Sequence, residues 1–200
     1  MIVPSPWRMG TPAVPSDALL RFKLSWVRDV KAGEAPSTIG VIMYNPANEG
    51  ELLDGAIRDG ATHRRVRGLL SGYTEIRVAN LSPYRGTKPD QAYSWERLAV
   101  SEVGVGLLGQ GLLARDLAGA TLDAARLDAL AWACAAPEVV VAWGAGRLST
   151  AMEQARQHVL ALAKGRMFCW GQTPSSAPYH PSPLNPNVTP NTPLRPWSPS

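Results

Sequence analysis

EVVVAWGAG, Glu138 to Gly146, is the stretch that decides the fold. Glu138 to Trp143 is apolar at nearly every position and β-branched at its centre. A strand with no polar side belongs inside a sheet that is covered on both faces. The glycines Gly144 and Gly146 then turn the chain. Leu148, Met152, Ala155, Val159 and Leu162 follow at helical spacing, which predicts a helix packed on the sheet.

The same alternation extends in both directions. Ile39 to Met43 is a short apolar run ending at Asn45-Pro46, a buried strand running into a loop. Arg21 to Trp26 alternates charged and apolar residues, the period of a half-exposed strand. Glu75 to Leu81 predicts a strand ending at Asn80, and Arg166 to Trp170 a last one. Helices are expected over 54–71, over 90–108, and from a Thr121 cap through Leu122, Leu127, Leu130 and Cys134. Strands alternating with helices imply a single three-layer α/β domain with a mostly parallel central sheet and helices on both faces. Residues 21–185 form this domain. A proline-rich arm, residues 1–20, precedes it, and a proline-rich tail, residues 186–200, follows it. Residues 174–200 hold nine prolines, which excludes helix and central strand there.

The 200 residues are 45% apolar, enough for one buried core, and the net charge of +4 suits a polyanionic partner without proving one. Cys134 and Cys169 lie in apolar surroundings and read as buried structural thiols. No Cys/His cluster has zinc spacing, and two cysteines cannot hold an iron–sulfur cluster. No apolar run reaches membrane-spanning length. The expectation is a cytoplasmic monomer that needs no metal or other cofactor.

In a sheet of this kind, sites gather beyond the C-terminal strand ends. Asn45-Pro46, Asn80 and Trp143-Gly144 stand there, and His180 follows the fifth strand by a loop. Each has a bland reading: Asn-Pro marks turns, a strand-end asparagine caps, and a glycine pair makes a tight turn. The polar surface of helix 54–71, with Arg58, His63, Arg64, Arg65 and Arg67, reads equally well as a solvated face. Gly104 to Gly109 matches G-x-G-x-x-G but follows no strand, so a dinucleotide role is not supported.

His180-Pro-Ser-Pro-Leu184 resembles the second signature motif of the uracil-DNA glycosylase superfamily. Val139 to Gly144 resembles the strand and phosphate-contacting loop that precede it there. Asn80 ends a strand, as does that family's base-reading asparagine. Ile42-Met-Tyr-Asn-Pro46 is similar to the first signature motif of the mismatch-specific and single-strand-selective branches. The four segments occur in the family's order. The stretches around Asn45-Pro46, Asp54 to Arg58 and Asn80 to Pro89 also resemble an uncharacterised bacterial and phage domain family related to that superfamily.

The resemblance implies a monofunctional DNA glycosylase acting on double- or single-stranded DNA. His180 would donate to the oxygen that gains charge as the base leaves, which can lower a barrier by about 3–4 kcal/mol. Asn80 would read the pyrimidine edge, with Tyr44 and Ala47 beside the base. Leu184 would fill the gap left by extrusion. Gly144, Ala145, Ser182 and Arg58 would contact the DNA backbone. Two departures stand out. The fastest uracil-specific enzymes carry an aspartate where this chain has Asn45, so Asn45 can position water but not take its proton. Asp54, or less directly Asp59, is a candidate for the missing carboxylate. They also carry a tyrosine against carbon 5 of the base where this chain has Ala47. The reading is therefore excision of a 5-modified pyrimidine, such as a glucosylated hydroxymethylcytosine of phage DNA in an antiviral setting. The alternatives are a uracil or mismatch repair glycosylase, a non-catalytic nucleic-acid binder, and a nucleotide hydrolase.

Overall fold

The computed structural model describes residues 7–9, 22–46, 52–53, 56–57, 60–84, 88–100 and 122–199. In chain order the strands are β1 (Trp7–Met9), β2 (Lys23–Arg28), β3 (Thr38–Met43), β4 (Leu52–Leu53), β5 (Ala56–Ile57), β6 (Glu75–Asn80), β7 (Glu138–Ala142), β8 (Met167–Cys169) and β9 (Arg195–Pro196). The helices are α1 (Ala61–Leu69), α2 (Pro89–Val100), α3 (Leu122–Cys134) and α4 (Thr150–Leu162).

Seven strands form one mixed sheet in the order β1-β2-β6-β3-β7-β8-β9. The central four, β6, β3, β7 and β8, are mutually parallel, while β1, β2 and β9 join the edges antiparallel. The buried strand expected at Glu138 to Trp143 is β7, and it is paired on both sides. Side chains alternate across the sheet, as strand geometry requires. Ile42, Val139 and Val141 share one apolar cluster with α3 and α4. Ile39, Val41, Met43, Val140 and Ala142 share the other with Val66 and Leu70 of the α1 region. Burying each such side chain contributes about 1.5–3 kcal/mol, so β3 and β7 carry much of the core.

Several expectations change. The helix expected over 54–71 begins only at Ala61. Before it, β4 and β5 pair antiparallel, Leu52 opposite Ile57 and Leu53 opposite Ala56. The sequence between them is Asp54-Gly55, a pair that favours hairpin turns over helix. Within α1 the buried residues are His63, Val66 and Arg67, so part of the face that reads as solvated is interior. The Arg67 guanidinium lies over the Trp26 ring at 4.2 Å, and His63 meets that ring edge-on at 5.9 Å. The large indole covers both polar groups and offers the cation its π face.

The proline-rich ends also take part. Trp7–Met9 pairs with β2 as an edge strand. Residues 186–199 run back over the domain rather than leaving it as a tail. Val188 and Trp197 are buried, one in each cluster, and Arg195–Pro196 closes the β8 edge. Proline is tolerated there because an edge strand has a side that needs no donor. Leu162, expected in the buried stripe of α4, is instead exposed at the helix end. Cys134 and Cys169 are buried free thiols, and burial pushes Cys134 up to about 11. No described helix is long and apolar enough to cross a membrane.

Candidate active site

The C-terminal ends of β3 and β7 deliver Tyr44-Asn45 and Trp143-Gly144 to one side of the sheet. His180 arrives differently. Beyond β8 the chain folds into a short tongue, in which Thr173 donates its amide to Ala177 at 2.8 Å and Tyr179 donates to Gly171 at 2.8 Å. The tongue returns the chain to the end of β7, where the Gly144 amide donates to the Pro178 carbonyl at 2.9 Å. A cleft of about 320 Å³ results, lined by Tyr44, Asn45, Thr62, Pro89, Trp143, Gly144, Ala145, Gly146, His180 and Ser182. That volume falls in the range of small-ligand sites.

Tyr44 is the floor under the Gly144–Arg147 loop. Its ring is buried and its hydroxyl donates to the Arg147 carbonyl. A Cβ on Gly146 would stand 2.6 Å from the Tyr44 ring, so only glycine lets the loop lie this close. Gly144 has φ +75°, a left-handed conformation suited to glycine, and its Cα faces the His180 Cβ. The helix expected directly after Gly146 starts later, at Thr150. Ser149 caps it by accepting from the Met152 amide at 3.2 Å.

Asn45 donates its side-chain amide to the carbonyls of Pro46 at 3.1 Å and Tyr84 at 3.4 Å, which fixes the amide plane at the cleft wall. His180 is partly buried in the wall, and desolvation lowers its imidazole to about 4. The ring is therefore neutral at physiological pH and keeps one N–H to donate. Ser182 accepts at its hydroxyl from the Leu184 amide at 3.3 Å. The Leu184 side chain is 91% exposed, whereas Val188 and Trp197, further along the same segment, are buried.

Six of the residues singled out from sequence thus meet at one cleft: Tyr44, Asn45, Gly144, Ala145, His180 and Ser182. Asn80 is not among the lining residues. It closes β6 opposite Met43, is 6% exposed, and its side-chain oxygen is buried with no hydrogen-bond partner. The Gly144 amide, expected to contact a phosphate, is used internally by Pro178. Ala47, Asp54, Arg58, Asp59, Thr121 and the Gly104–Gly109 motif lie outside the described residues.

Two residues of the site had no signal of their own in the sequence. Arg65 of α1 donates to the carbonyls of Ser182 at 2.5 Å and Asn185 at 3.2 Å. Asn185 donates its side-chain amide to the His180 carbonyl at 3.0 Å and accepts from the Asn187 amide at 3.0 Å. Together they close the His180–Asn185 segment into a fixed turn. Trp197 supports the opposite wall by packing edge-on against Trp143, with ring centroids 5.7 Å apart.

No curated protein and no solved structure matches the chain. A family described as "Protein of unknown function (DUF1643)" matches residues 21–182, a span that holds every cleft-lining residue and ends two residues before Leu184. The chain belongs to that DUF1643 family.

Proposed function

We propose that the protein is a DNA N-glycosylase that extrudes a pyrimidine, preferentially one substituted at carbon 5, and hydrolyses its bond to deoxyribose. The observation that carries this reading is the pairing of His180, neutral in the cleft wall, with Leu184, four residues on and 91% exposed. Leaving a leucine that exposed costs burial energy, and a DNA stack from which a base has been extruded would supply the missing apolar contact. The parallel strand ends that bring Asn45 and Gly144 together, with His180 returned beside them by the tongue after β8, support a likeness to the uracil-DNA glycosylase superfamily.

In this mechanism the bond between the anomeric carbon and the base nitrogen breaks, and its electron pair leaves with the base. The neutral His180 N–H donates to the base oxygen where that charge collects. Asn45, held by Pro46 and Tyr84, orients the water whose oxygen bonds to the anomeric carbon. One water proton passes to the departing base or to solvent, leaving an abasic sugar and a free base. Asp54 is the candidate to receive that proton first. A base-reading role for Asn80 requires the base to reach beyond the cleft lining to its buried, unpartnered side-chain oxygen. Ala47 stands in the sequence where the resembled uracil-specific enzymes carry a bulky ring, and a methyl group there would admit a substituent at carbon 5. Attack on modified phage DNA fits such a pocket.

The test is incubation of the full chain with single- and double-stranded DNAs carrying uracil, mismatched, hydroxymethylated and glucosylated pyrimidines, followed by mass spectrometry of released bases. Release of a 5-substituted pyrimidine is expected, and Ala47→Tyr should abolish it while sparing release of plain uracil. Release of uracil alone, unaffected by Ala47→Tyr, would reduce the reading to an ordinary repair glycosylase. No release from any substrate would overturn it.

A further inference from the structure

A second cavity, of about 280 Å³, lies against the same end of β7. Trp143, Leu148 and Trp197 give it apolar walls, while the partly exposed Glu153 and Arg156 and the exposed Ser175 give it polar ones. It meets the cleft at Trp143 and Gly144, which line both. Gly144 has no side chain, and its amide is joined to the Pro178 carbonyl at 2.9 Å, so the partition there is little more than backbone. The tongue follows this partition. Ser175 to Pro178 line the second cavity, and His180, two residues on, lines the cleft.

The charge of this cavity selects the class of its occupant. Among the described residues that line it, only Glu153 and Arg156 are charged, and they neutralise each other. Arg156 donates from Nε to Oε2 at 2.9 Å and from Nη2 to Oε1 at 2.6 Å. An anion would have to compete with Glu153 for the guanidinium, and a cation with Arg156 for the carboxylate. An aliphatic group would cover the ion pair and the hydroxyl without bonding to them, at a cost in free energy. An uncharged flat ring with polar edges satisfies both kinds of wall. Its faces pack on the indoles, while Arg156 Nη1 donates to a ring carbonyl and the Ser175 hydroxyl can donate or accept.

We propose that this cavity receives the base of the nucleotide next to the extruded one, so that two consecutive bases of one strand part on either side of the Gly144–Pro178 partition. This rests on the glycosylase reading and adds the kind of DNA it takes: a target whose neighbour is also unpaired. In a single strand the neighbouring base enters freely, whereas in a duplex it must leave its own stack as well. Aromatic side chains hold unstacked bases in this way with little regard to sequence, because every base has a π face.

The experiment is fluorescence anisotropy of the full chain with a single-stranded oligonucleotide that carries one central 5-hydroxymethyldeoxycytidine. A 2′-fluorine on that sugar blocks cleavage by disfavouring positive charge there. In two further oligonucleotides the base of the 5′ or the 3′ neighbour is deleted, leaving its sugar and phosphates. All three carry the same phosphates, so the ratio of affinities reads the neighbouring base alone. Deletion on one side should weaken binding by about tenfold, and deletion on the other should do little. Ser175→Trp fills the cavity from the exposed tip of the tongue and should bring that ratio close to one. Arg156→Leu removes the donor, leaves Glu153 unpaired, and should shrink the ratio too. Each ratio is taken within one protein, so a misfolded fraction cancels. A wild-type ratio near one, equal losses from both sides, or a loss that Ser175→Trp leaves undiminished overturns the proposal. The expected ratios without base release from any substrate sink the glycosylase reading and leave the subsite standing. Base release with a wild-type ratio near one does the reverse.

Discussion

Arg65 reaches out of α1 to the Ser182 carbonyl at 2.5 Å, and so ties the helix wall of the cleft to the turn that carries His180 and Leu184. Its second branch holds the Asn185 carbonyl at 3.2 Å. Hydrogen bonds to a charged group contribute about 1.5–3 kcal/mol. Arg65→Ala should therefore slow single-turnover base release by roughly tenfold or more. Arg65→Lys can reach one carbonyl but not both, and should recover only part of the rate. A wild-type rate in Arg65→Ala would mean that Asn185 alone holds the turn.

Leu184→Ala separates a wedge from a packing residue. At 91% exposure the side chain makes too little contact to support the fold, so the melting temperature should not move. Extrusion must be driven only from a stacked duplex. Base release should fall more on duplex than on single-stranded substrate. Equal loss on both substrates, or a lowered melting temperature, would remove Leu184 from the DNA contact.

The fold was legible where periodicity was unmixed. β3, β6 and β7 follow from apolar runs that end at asparagine or glycine, and the cleft at their ends follows from the topology. What escaped has physical reasons. His63 and Arg67 look polar in sequence, yet Trp26 supplies a π surface that lets both lie inside, so the helix face was misread. Asp54-Gly55 makes a hairpin plausible only if the strands on either side are recognised, and each is two residues long. The proline-rich terminus is anchored by Val188 and Trp197, with Leu194 partly buried between them, too sparse a set to give a pattern. Arg65 and Asn185 act on backbone carbonyls, which leave no complementary residue type to find. Use of the Gly144 amide depends on where Pro178 returns, a long-range fact that local sequence does not encode.

Gly146→Ala tests the floor of the site. The new Cβ would stand 2.6 Å from a Tyr44 ring that is itself buried and tied to Arg147. Neither partner can yield without moving the loop. Overpacking of this kind costs about 1–3 kcal/mol. A lower melting temperature and a loss of base release should appear together, and Tyr44→Phe, which keeps the ring, should not relieve the clash. A stable, fully active Gly146→Ala protein would show that the loop stands further from Tyr44 in solution.

His180 links pH to both stability and rate. Burial holds the folded imidazole at about 4, and an unfolded histidine titrates near 6.5. Between these values the unfolded chain binds more protons, so stability must fall as pH drops through this window. Above the unfolded value both states are neutral and the contribution is complete. Below the folded value both are charged and no further loss occurs. Other groups titrate in the same range, so the quantity to measure is the difference in unfolding free energy between wild type and His180→Gln. That difference should be level from pH 8 to about 6.5, decline toward pH 4, and level again. Catalysis follows the same proton. If the neutral ring is the donor, kcat/KM should show no histidine step between pH 5 and 8 on a single-stranded substrate, and His180→Ala should lose roughly a hundredfold throughout. If the imidazolium is the donor instead, kcat/KM will climb steadily as pH falls from 8 to 5, because each unit recruits about tenfold more of the charged ring. An NMR titration of the His180 ring decides which proton is being counted, and a midpoint near 6.5 would remove the buried neutral donor from the mechanism.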